Sequence, residues 1–248
     1  MLNICSKFTH LFKNAYKRGH KARLLQGLAL FSCPLCQATI AAQQALCPAC
    51  QQALPWREQQ YCVQCGSLCF ALRCGECLQH PPHFDQTIAA YDYRYPLDKM
   101  IARYKYQYQL HLARPLAQGL LHSLAQQIAV FPDMLVAMPL HEKRLQQRGF
   151  NQSQLIAQSI SQQFRLTISP VCRRIINTPP QAGLDHQQRK RNIRGAFACD
   201  SSLRGKRIAI VDDVMTTGAS LDELARQLKK SGAAHVQCWV IARTQQNH

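Results

Sequence analysis

A stretch near the C-terminus, residues 207–220, constrains the fold of this chain most strongly, because it joins a strand, an acid pair and a phosphate-type turn. The apolar run that starts at Arg207 has strand length and ends in Asp212 and Asp213. A Thr-Thr-Gly-Ala-Ser turn follows, and a helix is predicted from about Leu221. In open parallel sheets, ligands bind at the carboxyl ends of strands, where turn N–H groups and the positive end of the next helix suit a phosphate. Because two carboxylates suit sugar hydroxyls or a metal ion, the stretch predicts a pocket for a phosphorylated ribose.

The N-terminal third carries a second strong pattern, four Cys-x-x-Cys knuckles within residues 33–77. Tetrahedral zinc takes four thiolates, and each knuckle offers two on one tight turn. Two successive pairs of knuckles therefore predict two four-cysteine zinc ribbons, with interleaved ligation of the first knuckle and the third as an open alternative. A thioredoxin-like motif is disfavoured, because it needs a single knuckle inside a βαβ unit. The predicted zinc ligands, structural rather than catalytic, are Cys33, Cys36, Cys47, Cys50, Cys62, Cys65, Cys74 and Cys77.

The bulk composition predicts a cytoplasmic protein with polyanionic partners. Of the 248 residues 47% are hydrophobic, enough for a core, but no apolar stretch approaches the roughly 18–20 residues of a membrane helix. The run Leu24–Phe31 lacks a small-residue cleavage site, so no signal peptide is expected. Thirteen cysteines without a secretion signal are expected to be metal ligands rather than disulfides. A net charge of +17 favours nucleic acid or phosphate-rich small molecules as partners.

Changes in composition along the chain predict three regions. Residues 1–30 form a basic N-terminal arm, residues 31–82 the double zinc ribbon, and Pro81-Pro82 marks the boundary to a domain over residues 84–248. In that last region strands alternate with helices, which predicts an α/β domain with a mostly parallel sheet. Neither a Gly-x-Gly-x-x-Gly fingerprint nor a Walker loop occurs, which argues against a dinucleotide enzyme and a P-loop NTPase.

Basic residues in the last region predict a second anion site. The predicted strand Met134–Leu140 is followed by a basic loop at the point where a strand's carboxyl end meets a helix. Residues 172–195 are polar and basic, and they are predicted to form a long mobile loop of the kind that closes over an active site. The candidate basic residues are Lys105, Lys143, Arg144, Arg148 and Arg189.

Several separated motifs resemble known families. The stretch Val211–Ser220 resembles the binding motif for phosphoribosyl pyrophosphate (PRPP) in type I phosphoribosyltransferases. Pro139-Leu140-His141 with Arg144, followed by Arg148–Gln152, looks like the ComF family, whose members include competence proteins and GntX. The cysteine-rich module also agrees, so the resemblance covers residues 31–243 in the family's order. Later residues that agree with it are Thr178, Gln181, Leu184, Arg189, Asn192, Ala196 and Phe197.

The resemblance implies a type I phosphoribosyltransferase-like fold that binds PRPP with Mg²⁺. It implies that Asp212 and Asp213 hold the ribose hydroxyls, directly or through Mg²⁺, and that Arg144 lies where this fold binds pyrophosphate. Arg148 and Lys105 are weaker candidates for that role. Purine-salvage relatives carry an Asp where this chain has a threonine, which cannot act as a general base near neutral pH. The implied 5′-phosphate cradle consists of Thr216, Thr217, Gly218, Ala219 and Ser220.

Two functions compete at this point. The first is a Mg²⁺-dependent phosphoribosyltransferase with an unknown acceptor, in a protein that the resemblance associates with DNA uptake, natural transformation or the use of DNA as a nutrient. The second is a single-stranded nucleic-acid-binding protein without catalysis, which uses the fold as a PRPP sensor or scaffold. The positive charge, the zinc ribbons and aromatic residues interleaved with basic ones favour the second function. The two can coexist, with single-stranded DNA and other DNA-uptake proteins as partners.

Overall fold

The computed structural model describes residues 31–178, 186–199 and 202–245. The chain divides into two compact units, residues 1–51 and 52–248. The predicted basic arm, residues 1–30, lies outside the described residues. The boundary between Gln51 and Gln52 falls inside the predicted double-ribbon module of residues 31–82, and the three predicted domain boundaries stay predictions.

The described part of the first unit is small. Strands β1 (Phe31–Ser32) and β2 (Thr39–Ile40) pair antiparallel, with Phe31 opposite Ile40. Helix α1 (Pro48–Gln52) follows them. The first cysteine knuckle lies in the turn between the two strands, and the second lies at the start of the helix.

A four-stranded sheet forms the centre of the second unit. It consists of β3 (Gln86–Asp92), β4 (Met134–Ala137), β7 (Arg207–Met215) and β8 (His235–Arg243) in the order β3-β8-β7-β4. All of its strand pairs are parallel, which confirms the predicted parallel sheet. The first of these strands, β3, pairs with β8, and Thr87 lies opposite Cys238.

Helices connect these strands and cover the sheet. After the short helix α2 (Gly75–Gln79) come α3 (Leu97–Tyr106), a 3₁₀ turn (Leu110–Leu112) and α4 (Ala113–Gln127). Helices α5 (Glu142–Arg148), α6 (Gln152–Phe164), α7 (His186–Ile193) and α8 (Ala219–Lys230) complete the described set. The helix predicted from about Leu221 is α8, which begins at Ala219.

Alternation along the strands divides the core between the two faces of the sheet. In β7, Ile208 and Ile210 belong to the buried cluster that includes Leu224 and Leu228 of α8. Leucines of α4, such as Leu120, are fully buried elsewhere in the unit, and α4 packs against β3 and α6. Because both faces of the sheet are covered, the strands read as continuous apolar runs.

Two predicted loops contain regular structure instead. The basic loop after β4 is helix α5, capped by His141, whose Nδ1 accepts a hydrogen bond from the Lys143 N–H. Gly149 ends the helix with a φ of 69°, a left-handed conformation that favours glycine. The predicted mobile loop of residues 172–195 contains strand β5 (Cys172–Arg174) and helix α7, and β5 pairs antiparallel with β6 (Phe197–Cys199).

One prediction about the cysteines is wrong. Cys172 and Cys199 lie opposite each other on β5 and β6 and form a disulfide, although all the cysteines were expected to be metal ligands rather than disulfides. The two residues are 27 positions apart in the sequence, so only strand pairing brings them together. Among the described helices, none is long and apolar enough to cross a membrane.

Candidate functional site

The acid pair and the turn lie at the carboxyl end of β7, an interior strand of the central sheet. Asp212 and Asp213 lie inside β7 rather than after it, and Asp212 is in register with Val240 of β8. Gly218 adopts a φ of 79° and caps α8, so the chain reverses sharply after the strand. A cavity of about 90 Å³ is lined by Asp212 and residues 214–221. Because the first N–H groups of a helix have no partners within the helix, the start of α8 offers donors to a phosphate there.

Asp212 is held by donors from its own strand and from α6. Its Oδ1 accepts hydrogen bonds from Ser153 Oγ at 2.8 Å and from the Asp213 N–H at 2.9 Å. Burial and the neighbouring Asp213 charge raise the pKa of Asp212 to about 7, against the opposing effect of Lys105. The Asp212 carboxyl group therefore takes up a proton readily near neutral pH.

Asp213 forms an ion pair with Lys105, which lies in the last turn of α3. The Lys105 Nζ is 2.9 Å from Asp213 Oδ1, and both side chains are largely buried. Burial works to lower the pKa of Lys105, but the Asp213 carboxylate raises it above its ordinary value. Lys105 is therefore charged and fixed beside the acid pair, whereas the sequence placed it in a connection between helices.

The carboxylates fit the requirements of a hydrated Mg²⁺ or of ribose hydroxyls. The hydrogen bonds from Ser153 and from the Asp213 and Val214 N–H groups all end on Oδ1 atoms, which leaves the Oδ2 atoms to other partners. Mg²⁺ is usually held by one or two carboxylates together with substrate phosphates and water. Two adjacent carboxylates beside a phosphate-type turn supply that donor set.

Arginines from α5 and β5 meet near this end of β7. Arg144 donates from Nη2 to the Thr178 carbonyl oxygen at 2.7 Å, and Arg174 donates to the Thr178 hydroxyl. Burial and the Arg144 charge lower the pKa of Arg174 to about 10, while Asp212 acts in the opposite direction. Arg174 therefore interacts electrostatically with both Arg144 and Asp212.

The remaining basic candidates have different settings. Arg148 donates to Gln152 Oε1 at 3.3 Å, and its guanidinium lies 5.6 Å from the centre of the Tyr106 ring. Lys143 is in the first turn of α5 and exposed. Arg189 belongs to α7, but its side chain lies outside the described part of the molecule, as do Gln181 and Leu184.

The cysteine knuckles pair successively, not in the interleaved way. Within each group of four, the Sγ atoms lie within 4.8 Å of one another, and neighbouring sulfurs such as those of Cys36 and Cys47 approach to 3.6 Å. When four thiolates each lie about 2.3 Å from one zinc ion, the distances between their sulfur atoms are similar to the sulfur–sulfur distances seen here. Both groups therefore fit a tetrahedral ion. The groups are Cys33, Cys36, Cys47 and Cys50, the first cluster, and Cys62, Cys65, Cys74 and Cys77, the second cluster.

The second cluster is attached to the parallel sheet. Arg57, which precedes it, pairs with Asp92 at the end of β3 at 2.8 Å, and it donates to the Gly66 carbonyl. Thr87 of β3 donates from its hydroxyl to the Gln64 carbonyl at 2.6 Å. The second cluster and the candidate site therefore belong to the same compact unit.

Comparisons with known proteins agree with this architecture. A family model described as a phosphoribosyl transferase domain matches residues 151–247. Competence protein F of Haemophilus influenzae is 32% identical over 225 residues, which cover 86% of this chain and 97% of that protein. The chain belongs to the ComF family.

Other members of the ComF family are similar over most of their length. The DNA utilization protein YhgH of Escherichia coli is 34% identical over 220 residues, covering 86% of this chain and 96% of that protein. Competence protein ComFC of Bacillus subtilis is 27% identical over 168 residues, covering 64% and 65%. The chain is thus a homologue of competence and DNA-utilization proteins with a phosphoribosyltransferase domain, which implies PRPP binding.

Three residues at the site were absent from the sequence-based candidates. Arg174 was counted only as part of a basic loop, although a strand there brings it near the acid pair. Ser153 follows the recognised Asn151-Gln152 pair and caps Asp212, a role that only the tertiary fold reveals. Arg243 ends β8 and is 2% exposed, and no sequence signal distinguishes it from a solvated terminal arginine.

Proposed function

We propose that this protein binds PRPP with Mg²⁺ at the segment Asp212–Ser220 and transfers the phosphoribosyl group to an acceptor, within DNA uptake or the use of DNA. The observation that carries the proposal is the acid pair held by Ser153 and Lys105 directly beside the phosphate-type turn. The membership of the ComF family supports the biological setting, since its relatives bear competence and DNA-utilization names.

In the proposed reaction, the turn binds the 5′-phosphate and the acid pair binds the ribose hydroxyls. The bond between the anomeric carbon and the pyrophosphate oxygen breaks, and pyrophosphate leaves with the electron pair while the acceptor's nucleophilic atom bonds to that carbon. The transition state has oxocarbenium character, so negative carboxylates near the ribose and cations near the leaving group both lower its energy. Mg²⁺, when bound, would neutralise part of the negative charge on the pyrophosphate.

Cationic side chains from three elements are available to the leaving pyrophosphate. Lys105 comes from α3, Arg144 from α5 and Arg174 from β5. Burial lowers the pKa of both arginines, and that of Arg174 falls to about 10, which still leaves its guanidinium charged at neutral pH. A cluster of retained positive charge is the property that a departing polyanion requires.

In this scheme, the proton that the acceptor loses is transferred to the solvent or to another group on the acceptor. Thr216 occupies the turn position at which an acidic base assists the acceptor in purine-salvage relatives, and its hydroxyl does not ionise near neutral pH. The proposal therefore favours acceptors whose nucleophilic atom carries a lone pair without prior deprotonation.

Calorimetric titration with PRPP in the presence of Mg²⁺ tests the binding step. Asp213→Asn removes the charge and is expected to weaken binding by at least about tenfold, because a charged hydrogen bond or ion contact contributes about 1.5–3 kcal/mol. Asp133→Asn is the matched control, since Asp133 pairs with Arg207 at the opposite end of β7 and is expected to change the affinity less than twofold. Equal affinities of the wild type and Asp213→Asn would contradict the site assignment.

Pyrophosphate release tests the transfer step separately. The protein is incubated with PRPP, Mg²⁺ and one acceptor class at a time: nucleobases, amines, or single-stranded oligonucleotides. The proposal expects release that depends on one class and is lost in Asp213→Asn. Tight PRPP binding without release in any class would leave PRPP sensing as the function.

A second candidate function, binding of single-stranded nucleic acid, is favoured by exposed tyrosines next to the site. Tyr106 and Tyr108 are 67% and 57% exposed, and Arg148 lies against the Tyr106 ring. Exposed rings beside cations can stack bases while the cations neutralise phosphates. The net charge of +17 adds a long-range attraction.

Fluorescence anisotropy with a labelled single-stranded oligonucleotide tests this second function. Replacing both tyrosines, Tyr106→Ala with Tyr108→Ala, is expected to weaken binding by roughly tenfold or more, since base stacking is worth about 1–3 kcal/mol per base. Phe131→Ala is the control, because Phe131 is also exposed but precedes β4, at the other end of the sheet. An affinity that is unchanged by the tyrosine replacements, or by an increase in salt concentration, would rule out this interface.

A further inference from the structure

Arg243, the last residue of β8, connects the second cluster to the phosphate turn. Its Nε donates to the Cys65 carbonyl at 3.0 Å, and its Nη2 donates to Ser67 Oγ at 3.3 Å. Its Nη1 donates to the Met215 carbonyl at 3.3 Å and also to the Thr216 carbonyl. One rigid guanidinium therefore holds a zinc-ligand residue on one side and the start of the turn on the other.

The contacts on the turn side determine where its N–H groups point. In a trans peptide the C=O and the following N–H point in opposite directions across one plane. Arg243, together with the N–H and hydroxyl of the next residue, Thr244, holds the carbonyls of Met215 and Thr216, so the N–H groups of Thr216 and Thr217 are directed away from the guanidinium. Donors that are oriented before the ligand arrives bind a phosphate without the cost of ordering the turn.

The contacts on the cluster side depend on the shape of a knuckle. The Cys62–Cys65 knuckle is closed by the Gly66 N–H, which donates to the Cys62 carbonyl at 2.9 Å, and by the Cys62 N–H, which donates to the Ser67 carbonyl at 2.8 Å. A metal ion bound to Cys62 and Cys65 fixes this turn further, because it joins both sulfurs to Cys74 and Cys77. Loss of the ion frees the two groups, the Cys65 carbonyl and Ser67, that position Arg243 from this side.

Arg243 has little freedom to compensate for such a change. It is 2% exposed, and a buried guanidinium group requires all of its hydrogen bonds. A cavity of about 270 Å³ is lined by Cys65, Cys77, Thr217 and Asp222 among others, so open space rather than packed side chains separates much of the cluster from the turn. The connection between them therefore runs to a large extent through one side chain.

We infer that Arg243 is a positioning residue through which metal occupancy of the second cluster sets the affinity of the phosphate turn for PRPP. The inference rests on the proposed PRPP site. It gives the second cluster a role beyond structural support, since zinc loss lowers PRPP affinity while the sheet is still folded. By thermodynamic reciprocity, bound PRPP must also tighten the hold on that metal ion.

The rate of zinc release, followed with a zinc-binding chromophore, tests this coupling without an activity assay. PRPP with Mg²⁺ is expected to slow the release of one zinc ion by about fivefold or more, within the usual range of coupling between sites. The Cys33→Ser variant, which loses a ligand of the first cluster, assigns the affected phase to the second cluster. Mg²⁺ with ribose 5-phosphate is the control ligand that shows how much of the effect the 5′-phosphate alone produces.

Two arginine variants separate positioning from simple stabilisation. Arg243→Lys keeps the charge but loses the planar fork, and it is expected to abolish the slowing by PRPP. Arg57→Lys alters another buried guanidinium that binds the same module through Gly66 but does not hold the turn, so the slowing is expected to persist. If Arg243→Lys does not fold, Ser67→Ala removes a single contact and is expected to reduce the slowing at least twofold.

The outcomes distinguish this inference from the proposed function. PRPP that binds the wild type but leaves both zinc phases unchanged overturns the coupling and leaves the PRPP site intact. Slowing that persists in Arg243→Lys, or at full size in Ser67→Ala when Arg243→Lys is unfolded, overturns the role of Arg243. Absence of any PRPP binding overturns the proposed function, and the coupling with it.

Discussion

The two four-cysteine clusters share their ligands and their Cys-x-x-Cys spacing, yet they fall in different compact units. The first belongs to the unit of residues 1–51, together with a two-stranded hairpin and a short helix. The second shares a unit with the parallel sheet, to which Arg57, Thr87 and Arg243 bind it. The comparison shows that equal ligand sets do not imply equal roles, because the residues around a metal site determine what the metal stabilises.

The largest expected difference comes from removing one ligand from each cluster. Cys33 and Cys62 are each 1% exposed and each begins the first knuckle of its cluster, so Cys33→Ser and Cys62→Ser are matched changes. Both are expected to remove one zinc ion per chain in metal analysis. Only Cys62→Ser is expected to destabilise the unit of residues 52–248, by on the order of 5 kcal/mol or more, because the binding free energy of a structural zinc ion, about 10–16 kcal/mol, contributes to folding free energy.

Chemical denaturation, followed by the fluorescence of the buried Trp239 in β8, measures this difference. Equal destabilisation of the sheet by the two variants would remove the distinction between the clusters. Stability that is unaffected by Cys62→Ser would show that the attachment of the second cluster contributes nothing to the sheet.

A smaller effect is expected from the ion pair that joins the second cluster to β3. The side chains of Arg57 and Asp92 are 4% and 16% exposed, and Arg57→Met leaves Asp92 without its cation. The free energy of unfolding is expected to fall by about 3 kcal/mol, as for other broken buried pairs.

Arg207→Met is the matched control for that change. Arg207 pairs with Asp133 at 3.0 Å, but their side chains are 46% and 32% exposed, so the expected loss is below about 1 kcal/mol. Similar losses for Arg57→Met and Arg207→Met in urea denaturation would mean that the second cluster is held no more firmly than a surface contact.

The smallest predicted effect is a dependence of stability on pH that arises from Asp212. It distinguishes a destabilising group in the candidate site from a destabilising change in the second cluster. The pKa of Asp212 rises from 3.8 to about 7 on folding, so the folded chain binds this proton more tightly than the unfolded chain does. Binding of this proton therefore stabilises the folded chain. The contribution to the free energy of unfolding is fully present below about pH 4 and is lost as the pH rises toward 7.

Asp212→Asn replaces the titrating carboxyl group with an amide, so the variant does not show this loss of stability with rising pH. Relative to the wild type, the variant is therefore expected to be more stable at pH 8 than at pH 5, by at least about 1 kcal/mol. Thermal unfolding of both proteins at the two pH values measures the change. A stability difference that is independent of pH would contradict the raised pKa of Asp212.

Much of the fold follows from sequence patterns that are local. The apolar run before Asp212 and the helix after Ser220 predict β7 and α8 to within a few residues, because each element carries its own periodicity and the turn carries its own residues. The successive cysteine groups also match the simpler of the two pairings. These predictions succeed because the necessary information for each lies within one short, continuous stretch of the sequence, such as residues 33–50 or 207–230.

The remaining features depend on residues that are distant in the sequence. The disulfide between Cys172 and Cys199 requires β5 and β6 to pair, and α7 lies between these two strands in the sequence. Arg243 reaches Cys65 across 178 positions. Long-range contacts of this kind leave no local periodicity, so the sequence predicted the turn, its acid pair and Lys105, but not Ser153 or Arg243, which also hold them.

Hydrogen–deuterium exchange of the wild-type protein, with and without PRPP and Mg²⁺, tests the central claim most directly. If the turn binds the 5′-phosphate, backbone amides of residues 216–220 become protected on addition of PRPP, while residues 33–50 of the first cluster exchange at an unchanged rate. Binding of PRPP that leaves residues 216–220 unprotected would contradict the assignment of the site to the end of β7.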